Sequence, residues 1–232
     1  MTNVAVITGG SQGLGQALAE RLATDGWSIV IDARRADRLG AAVDQLQSSA
    51  AEDSTIVGVA GDVTDPVHRR ALADAARELG PVGLLVNNAS TLGASPLPRL
   101  VAIDADVLRR TFDVNVVAPV ALIGELADDL ADGATVANIS SDAALGAYEG
   151  WGGYGSSKAA LDQVSRVLAA EHPEWRVLAI DPGDMATEMH QAAFPGEDIS
   201  DRPDPTEAVA AVFALISGEQ PSGRYPSEEQ AP

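Results

Sequence analysis

Cysteine is absent from the 232 residues. That excludes disulfides, thiolate nucleophiles and cysteine-built zinc sites, and no metal site is expected. Lysine is almost absent: Lys158 stands alone against 14 arginines. Basic residues are scarce beside acidic ones, 15 against 34, for a net charge of −19. Such a surface repels phosphate backbones, so no nucleic-acid partner is expected. No apolar run approaches the roughly 18–20 residues needed to cross a bilayer. No basic stretch leads into an apolar one near the start, so neither a membrane partner nor a secretory route is expected, and the default location is cytoplasmic. What is present is ordinary for a globular protein: 46% hydrophobic and 21% charged residues. The length fits one domain over residues 1–232, large enough to bury a full core.

Short apolar runs alternate with helical patterns. Val4-Ala5-Val6-Ile7-Thr8 reads as a buried parallel strand running into a glycine turn. Leu14, Leu18 and Leu22 then mark one helix face, stopped by Asp25-Gly26. Further strands are expected at residues 28–32, 56–60, 82–87, 135–140 and 176–181, and helices around 39–46 and over 66–79, 154–171 and 206–216. Residues 104–130 read as mostly helical, divided or kinked at Pro119. Strands separated by helices of this length imply a parallel α/β sheet covered on both faces. Residues 183–205 read as a long functional loop. Residues 221–232 read as a frayed tail with a short strand near Gly223-Arg224-Tyr225.

Thr8-Gly9-Gly10-Ser11-Gln12-Gly13-Leu14-Gly15 lies between the first strand and the first helix. Glycines let the backbone approach a ligand closely, and the helix start offers unpaired N–H groups and partial positive charge. In a βαβ setting this suits a pyrophosphate. Asp62, beside Val63, suits either an adenine amino group or a helix cap before Pro66. The second strand ends Asp32-Ala33-Arg34-Arg35. An acid there would take ribose hydroxyls and an arginine a 2′-phosphate; both are present.

Tyr154 and Lys158 stand four apart on an expected helix and share one face. A free phenol, with a pKa near 10, is a poor base at neutral pH, and a neighbouring ammonium favours its ionised form. A phenol so tuned exchanges protons with a carbinol oxygen. Ser140 and Ser141 end the preceding strand, and a hydroxyl there suits the same oxygen. Asn115 sits mid-helix.

Together these residues resemble the short-chain dehydrogenase/reductase family. The matching elements are the glycine segment 8–15, Asn87-Asn88-Ala89-Ser90, Asn115, Ser141, Tyr154-Gly155-Ser156-Ser157-Lys158, and Pro182-Gly183 followed by Thr187. The resemblance implies a Rossmann-like doubly wound sheet of order 3-2-1-4-5-6-7 and a nicotinamide dinucleotide cofactor. It implies hydride transfer between that cofactor and a carbonyl or secondary alcohol, with Tyr154 as general acid/base. Lys158 would hold the nicotinamide ribose and lower the tyrosine pKa. Ser141, thirteen residues before Tyr154, would position the substrate oxygen, and Asn115 would support a water linking Lys158 to solvent. The cofactor set would be Thr8, Gly9, Ser11, Gln12, Gly13, Leu14, Gly15, Arg34, Arg35, Asp62, Val63, Asn87, Ala89, Tyr154, Lys158, Pro182, Gly183, Met185 and Thr187. Tyr148, Trp151, Met189 and Phe194 are candidate walls for a small-molecule substrate. Ala33 stands where NAD users place an acid, and Arg34 follows, so NADP(H) is preferred over NAD(H). A homodimer is implied, a tetramer being in question because the last strand is short. Two other classes stay open: a dinucleotide sensor without turnover, and a cofactor-assisted isomerase or dehydratase.

Overall fold

A computed structural model describes residues 3–226. Seven parallel strands form one sheet in the order β3-β2-β1-β4-β5-β6-β7. They are β1 Val4–Ile7, β2 Ser28–Ala33, β3 Ile56–Ala60, β4 Val82–Asn87, β5 Leu130–Ile139, β6 Arg176–Asp181 and β7 Gly223–Pro226. The helices between them are α1 Gly13–Thr24, α2 Ala36–Ser49, α3 Pro66–Leu79, α4 Ala105–Phe112, α5 Ala118–Leu126, α6 Gly152–Glu171, α7 Glu188–Ala193 and α8 Pro205–Ser217.

The strands are apolar throughout because both faces of the sheet are covered. Successive side chains point to opposite sides. Ala5 and Ile7 of β1 join Ile29, Ile31, Leu178 and Ile180 against α1, α2 and α8. Val4 and Val6 join Val30, Leu85, Val136 and Val177 against α3 and α5. The strand order reverses between β1 and β4, and the loops leaving their carboxyl ends diverge there. That divergence opens the crevice in which sheets of this kind bind ligands.

Local signals set the helix ends. Asp65 caps α3 by accepting from the Val67 amide at 2.8 Å, with Pro66 at its first position. Asp62 is therefore not the cap. Residues 105–126 run as one helix interrupted by a π turn at Asp113–Val117. The division expected at Pro119 falls just before it and places Asn115 inside the π turn. Leu130 opens β5 rather than closing a helix. The expected loop at 183–205 contains α7. Of the expected tail, residues 223–226 form β7; residues 227–232 lie outside the described residues. Among the described residues, no helix is long and apolar enough to cross a membrane.

Candidate active site

A cleft of about 970 Å³ opens at the carboxyl ends of the strands. The glycine segment forms one wall. Gly13 adopts φ +56°, a conformation that side-chain-bearing residues rarely hold. It turns the chain into α1, whose first turn has no side-chain cap. Its leading N–H groups are left for a ligand, at the positive end of the helix dipole. This uncapped turn, lining a cleft of dinucleotide size, fits a nicotinamide dinucleotide.

Gly9, Ser11, Gln12, Gly13 and Leu14 line the cleft. Two residues expected as contacts do not. Gly15 is turned inward, where a Cβ would stand 2.5 Å from the Gly9 carbonyl oxygen and from Asn88 Nδ2. Thr8 is buried, and its Oγ1 accepts from the amides of Asn88 and Ala89 at 3.0 Å. Both shape the loop from behind. Asn87 likewise does not line the cleft: its Nδ2 donates to Asn138 Oδ1 at 2.8 Å inside the sheet. Its neighbour Asn88 does what the sequence did not single out. Its Nδ2 donates to the Thr8 and Gly9 carbonyls at 2.9 and 3.2 Å, tying the β4 loop to the glycine loop.

Asp32 is buried on the α3 side of β2. Its Oδ1 accepts the Gly9 amide at 2.6 Å, and its Oδ2 lies 2.8 Å from His68 Nε2. Both carboxylate oxygens are thereby engaged under the loop. Arg34 and Arg35 reach the cleft wall beyond it. Arg35 pairs with Asp37 at 2.5 Å, whereas Arg34 has no ionic partner among the described residues. Arg38 bonds Gln12 and lies 2.8 Å from Glu188, joining α2, the glycine loop and α7. Asp62 and Val63 line the same end. Burial would raise the Asp62 carboxyl, but Thr64 and Arg110 hold it down at about 2. Nothing in the linear sequence marked Arg110 or His68; their partners lie 48 and 36 residues away.

The reacting corner is built where β5 meets α6. Gly155 makes it compact, since a Cβ there would sit 2.4 Å from the Ala143 carbonyl oxygen. Tyr154 and Lys158 both line the cleft and are 8% and 2% exposed. Lys158 Nζ donates to the Ile139 carbonyl at 2.7 Å and stands 5.5 Å from the centre of the Tyr154 ring. Burial lowers its pKa to about 8 against the opposing pull of Asp162. Burial also raises the Tyr154 phenol to about 12, with hydrogen bonds to Ser90 and Ser141 working in the other direction. The direction is opposite to the acidification expected from a neighbouring ammonium. Loss of hydration is the largest cause, Asp181 and Asp142 add to it, and the amine donates to Ile139.

Ser141 lines the cleft; its Oγ donates to Asp142 at 3.0 Å and accepts from the Ala143 amide at 3.2 Å. Ser140, beside it, keeps a buried hydroxyl without a partner. Asn115 is buried and does not line the cleft. Its Oδ1 accepts from Ser90 Oγ and the Thr91 amide at 3.1 and 2.9 Å, and its Nδ2 donates to the Thr91 carbonyl and Ser157 Oγ, both at 2.9 Å. The side chain has no capacity left for a water. Only the main-chain carbonyl could hold one, so the side chain itself positions Ser90 and α6.

Ala89, Pro182, Gly183, Met185 and Thr187 continue the wall, with Thr187 capping α7 by accepting from the His190 amide at 3.1 Å. Tyr148, Trp151, Met189 and Phe194 gather at the far end. Trp151 stacks edge-on to Tyr154 at 5.7 Å and lies 5.9 Å from Phe194. Among the described residues, no group of three or more His, Asp or Glu could hold a metal ion.

A family model for short chain dehydrogenases matches residues 3–198. Sepiapterin reductase of Mus musculus is 36% identical over 202 residues, covering 82% of this chain and 77% of that protein. Serine 3-dehydrogenase of Rhizobium radiobacter is 35% identical, covering 82% and 74%. An alcohol dehydrogenase from the archaeon Thermococcus sibiricus, solved in complex with 5-hydroxy-NADP, superposes with a TM-score of 0.86 at 25% identity over 100% of this chain and 99% of that one. With the sheet order and the cleft already in place, this chain belongs to the short-chain dehydrogenase/reductase family and is a nicotinamide-dependent oxidoreductase acting between alcohol and carbonyl groups.

Proposed function

We propose that this protein interconverts a carbonyl and a secondary alcohol with NADP(H), with Tyr154 as the acid/base at the substrate oxygen. The observation that carries the reading is the buried Tyr154–Lys158 pair on the floor of the cleft that the uncapped start of α1 also faces. The bound nicotinamide supplies or accepts the hydride at carbon. Tyr154, protonated at neutral pH, gives its proton to the oxygen of a carbonyl as the new C–H bond forms. Ser141 and Tyr154 hold that oxygen between them, and the aromatic side chains at the far end exclude water. Lys158 has N–H groups beyond the one spent on Ile139 to hold a ribose hydroxyl.

The preference for NADP is supported by Arg34, exposed at the cleft and without an ionic partner among the described residues, and by Asp32, whose carboxylate is engaged by Gly9 and His68. The segment 183–205, carrying α7, serves as the substrate-binding wall in this reading. A homodimer is supported by exposed Val117, Val120 and Val167 around α5 and α6. The test is a panel of carbonyl compounds followed by NADPH absorbance. Wild type turns over at least one, and Tyr154→Phe loses at least about a thousandfold while binding NADPH normally. Full activity in that variant would end the assignment. Tight NADPH binding with no turnover of any substrate would favour a sensor.

A further inference from the structure

We propose that Arg224, on the last strand β7, is a positioning residue for the reacting corner: it holds the main chain of Ser141 and neutralises two buried carboxylates, Asp162 one turn from Lys158 and Asp181 on the Tyr154 side. Its Nε lies 2.9 Å from Asp162 Oδ2, and its terminal nitrogen lies 3.2 Å from Asp181 Oδ2 and donates to the Ser141 carbonyl at 2.9 Å. Asp162 is 2% exposed, and its other oxygen is buried without a partner. Arg224 is therefore the one cation paired with it among the described residues. Asp162 follows Lys158 by one helical turn and acts on it through space. The guanidinium fork reaches three separate elements, a geometry that a lysine cannot reproduce.

Asp162 acts on Lys158 from its own helix, with the Tyr154 ring 5.5 Å from the amine; Asp142 after β5 and Asp181 at the end of β6 act on Tyr154, and Arg224 on β7 is the cation paired with both Asp162 and Asp181. Removing the Arg224 charge leaves two carboxylates uncompensated, and the ammonium then holds its proton to higher pH. Removing the Asp162 charge does the reverse.

This inference rests on the catalytic reading above, but its test does not need turnover. Because Lys158 is the chain's one lysine, growth on ¹³C-labelled lysine marks a single side chain, whose titration is read by NMR in the full-length protein. Arg224→Met is expected to move the midpoint up by about one pH unit and Asp162→Asn to move it down. In parallel, Arg224→Lys is expected to lower kcat about tenfold and raise substrate KM with NADPH affinity unchanged, because charge is kept while the Ser141 carbonyl is released. An unmoved midpoint in a folded Arg224→Met protein overturns the proposal. Should that variant fail to fold, Asp162→Asn decides: a midpoint that stays or rises is equally fatal. If midpoints move as stated while no variant, wild type included, turns over any carbonyl, the catalytic reading has failed and this one stands.

Discussion

The residues that carry the chemistry are few, and their behaviour is set by burial. With its phenol raised to about 12, Tyr154 in the proposed role is fully protonated at neutral pH: the donor form is always present, though a weak acid, and the phenolate that would act as base is scarce. Reduction is thus expected to be nearly flat from pH 6 to 7.5, while alcohol oxidation rises about tenfold per pH unit over that range; initial rates in both directions at saturating cofactor check this. At the other end of the cleft, Arg34→Ala is expected to weaken NADPH binding by about 1–3 kcal/mol, a charge-assisted hydrogen bond or two, and to leave NADH unchanged. Calorimetric titration with both nucleotides measures it. An equal loss for both would mean that Arg34 does not meet the 2′-phosphate. The type and spacing of Tyr154, Lys158 and Ser141 were legible in the sequence, because a helical turn and a strand end are local. The direction of the phenol's shift was not, because it depends on what surrounds the ring.

At the scale of elements, the βαβ alternation could be read almost strand by strand, since continuous apolar runs and four-residue leucine spacing are properties of neighbouring residues. The π turn at Asp113–Val117 could not: it is fixed by Asn115 bonding Thr91 and Ser157, 24 and 42 residues away. The glycine loop shows the same division. Its position was legible, but which glycines face a ligand and which face protein was not. Gly15→Ala is expected to lower NADPH affinity at least tenfold, because the added methyl meets backbone at 2.5 Å and displaces the loop. The same substitution at Gly26 meets no atom within 4 Å but lies at φ +87°, so it is expected to cost about 1 kcal/mol of stability and no affinity. Nucleotide titration alongside urea unfolding separates the two.

For the whole molecule, the buried lysine makes stability depend on pH. Lys158 drops from 10.5 to about 8 on folding, so the unfolded chain binds more protons between those values. Stability is lowered fully below pH 8 and recovers as pH rises to 10.5. Between pH 10 and 12 the raised phenol works in the opposite direction, since the unfolded tyrosine ionises first. Lys158→Met is expected to gain about 2 kcal/mol at pH 7, the released burial cost less the lost hydrogen bond to Ile139, and to flatten the rise above pH 8. Urea unfolding across that range tests both. The net charge of −19 adds a separate effect: raising salt from 20 mM to 0.5 M is expected to lift Tm by about 3–6 °C as self-repulsion is screened.

The sequence by itself determined the parallel sheet, the glycine turn and the shared helix face of Tyr154 and Lys158, because each follows from residues within a few positions of one another. Tertiary structure alone decided that Thr8, Gly15 and Asn87 stand behind the cleft, that Asp32 is spent on Gly9 and His68, and that Arg224 reaches Asp162 and Ser141 across 62 and 83 residues. Those outcomes depend on which groups lose their water when distant segments pack together, and hydration is lost in three dimensions, not along the chain.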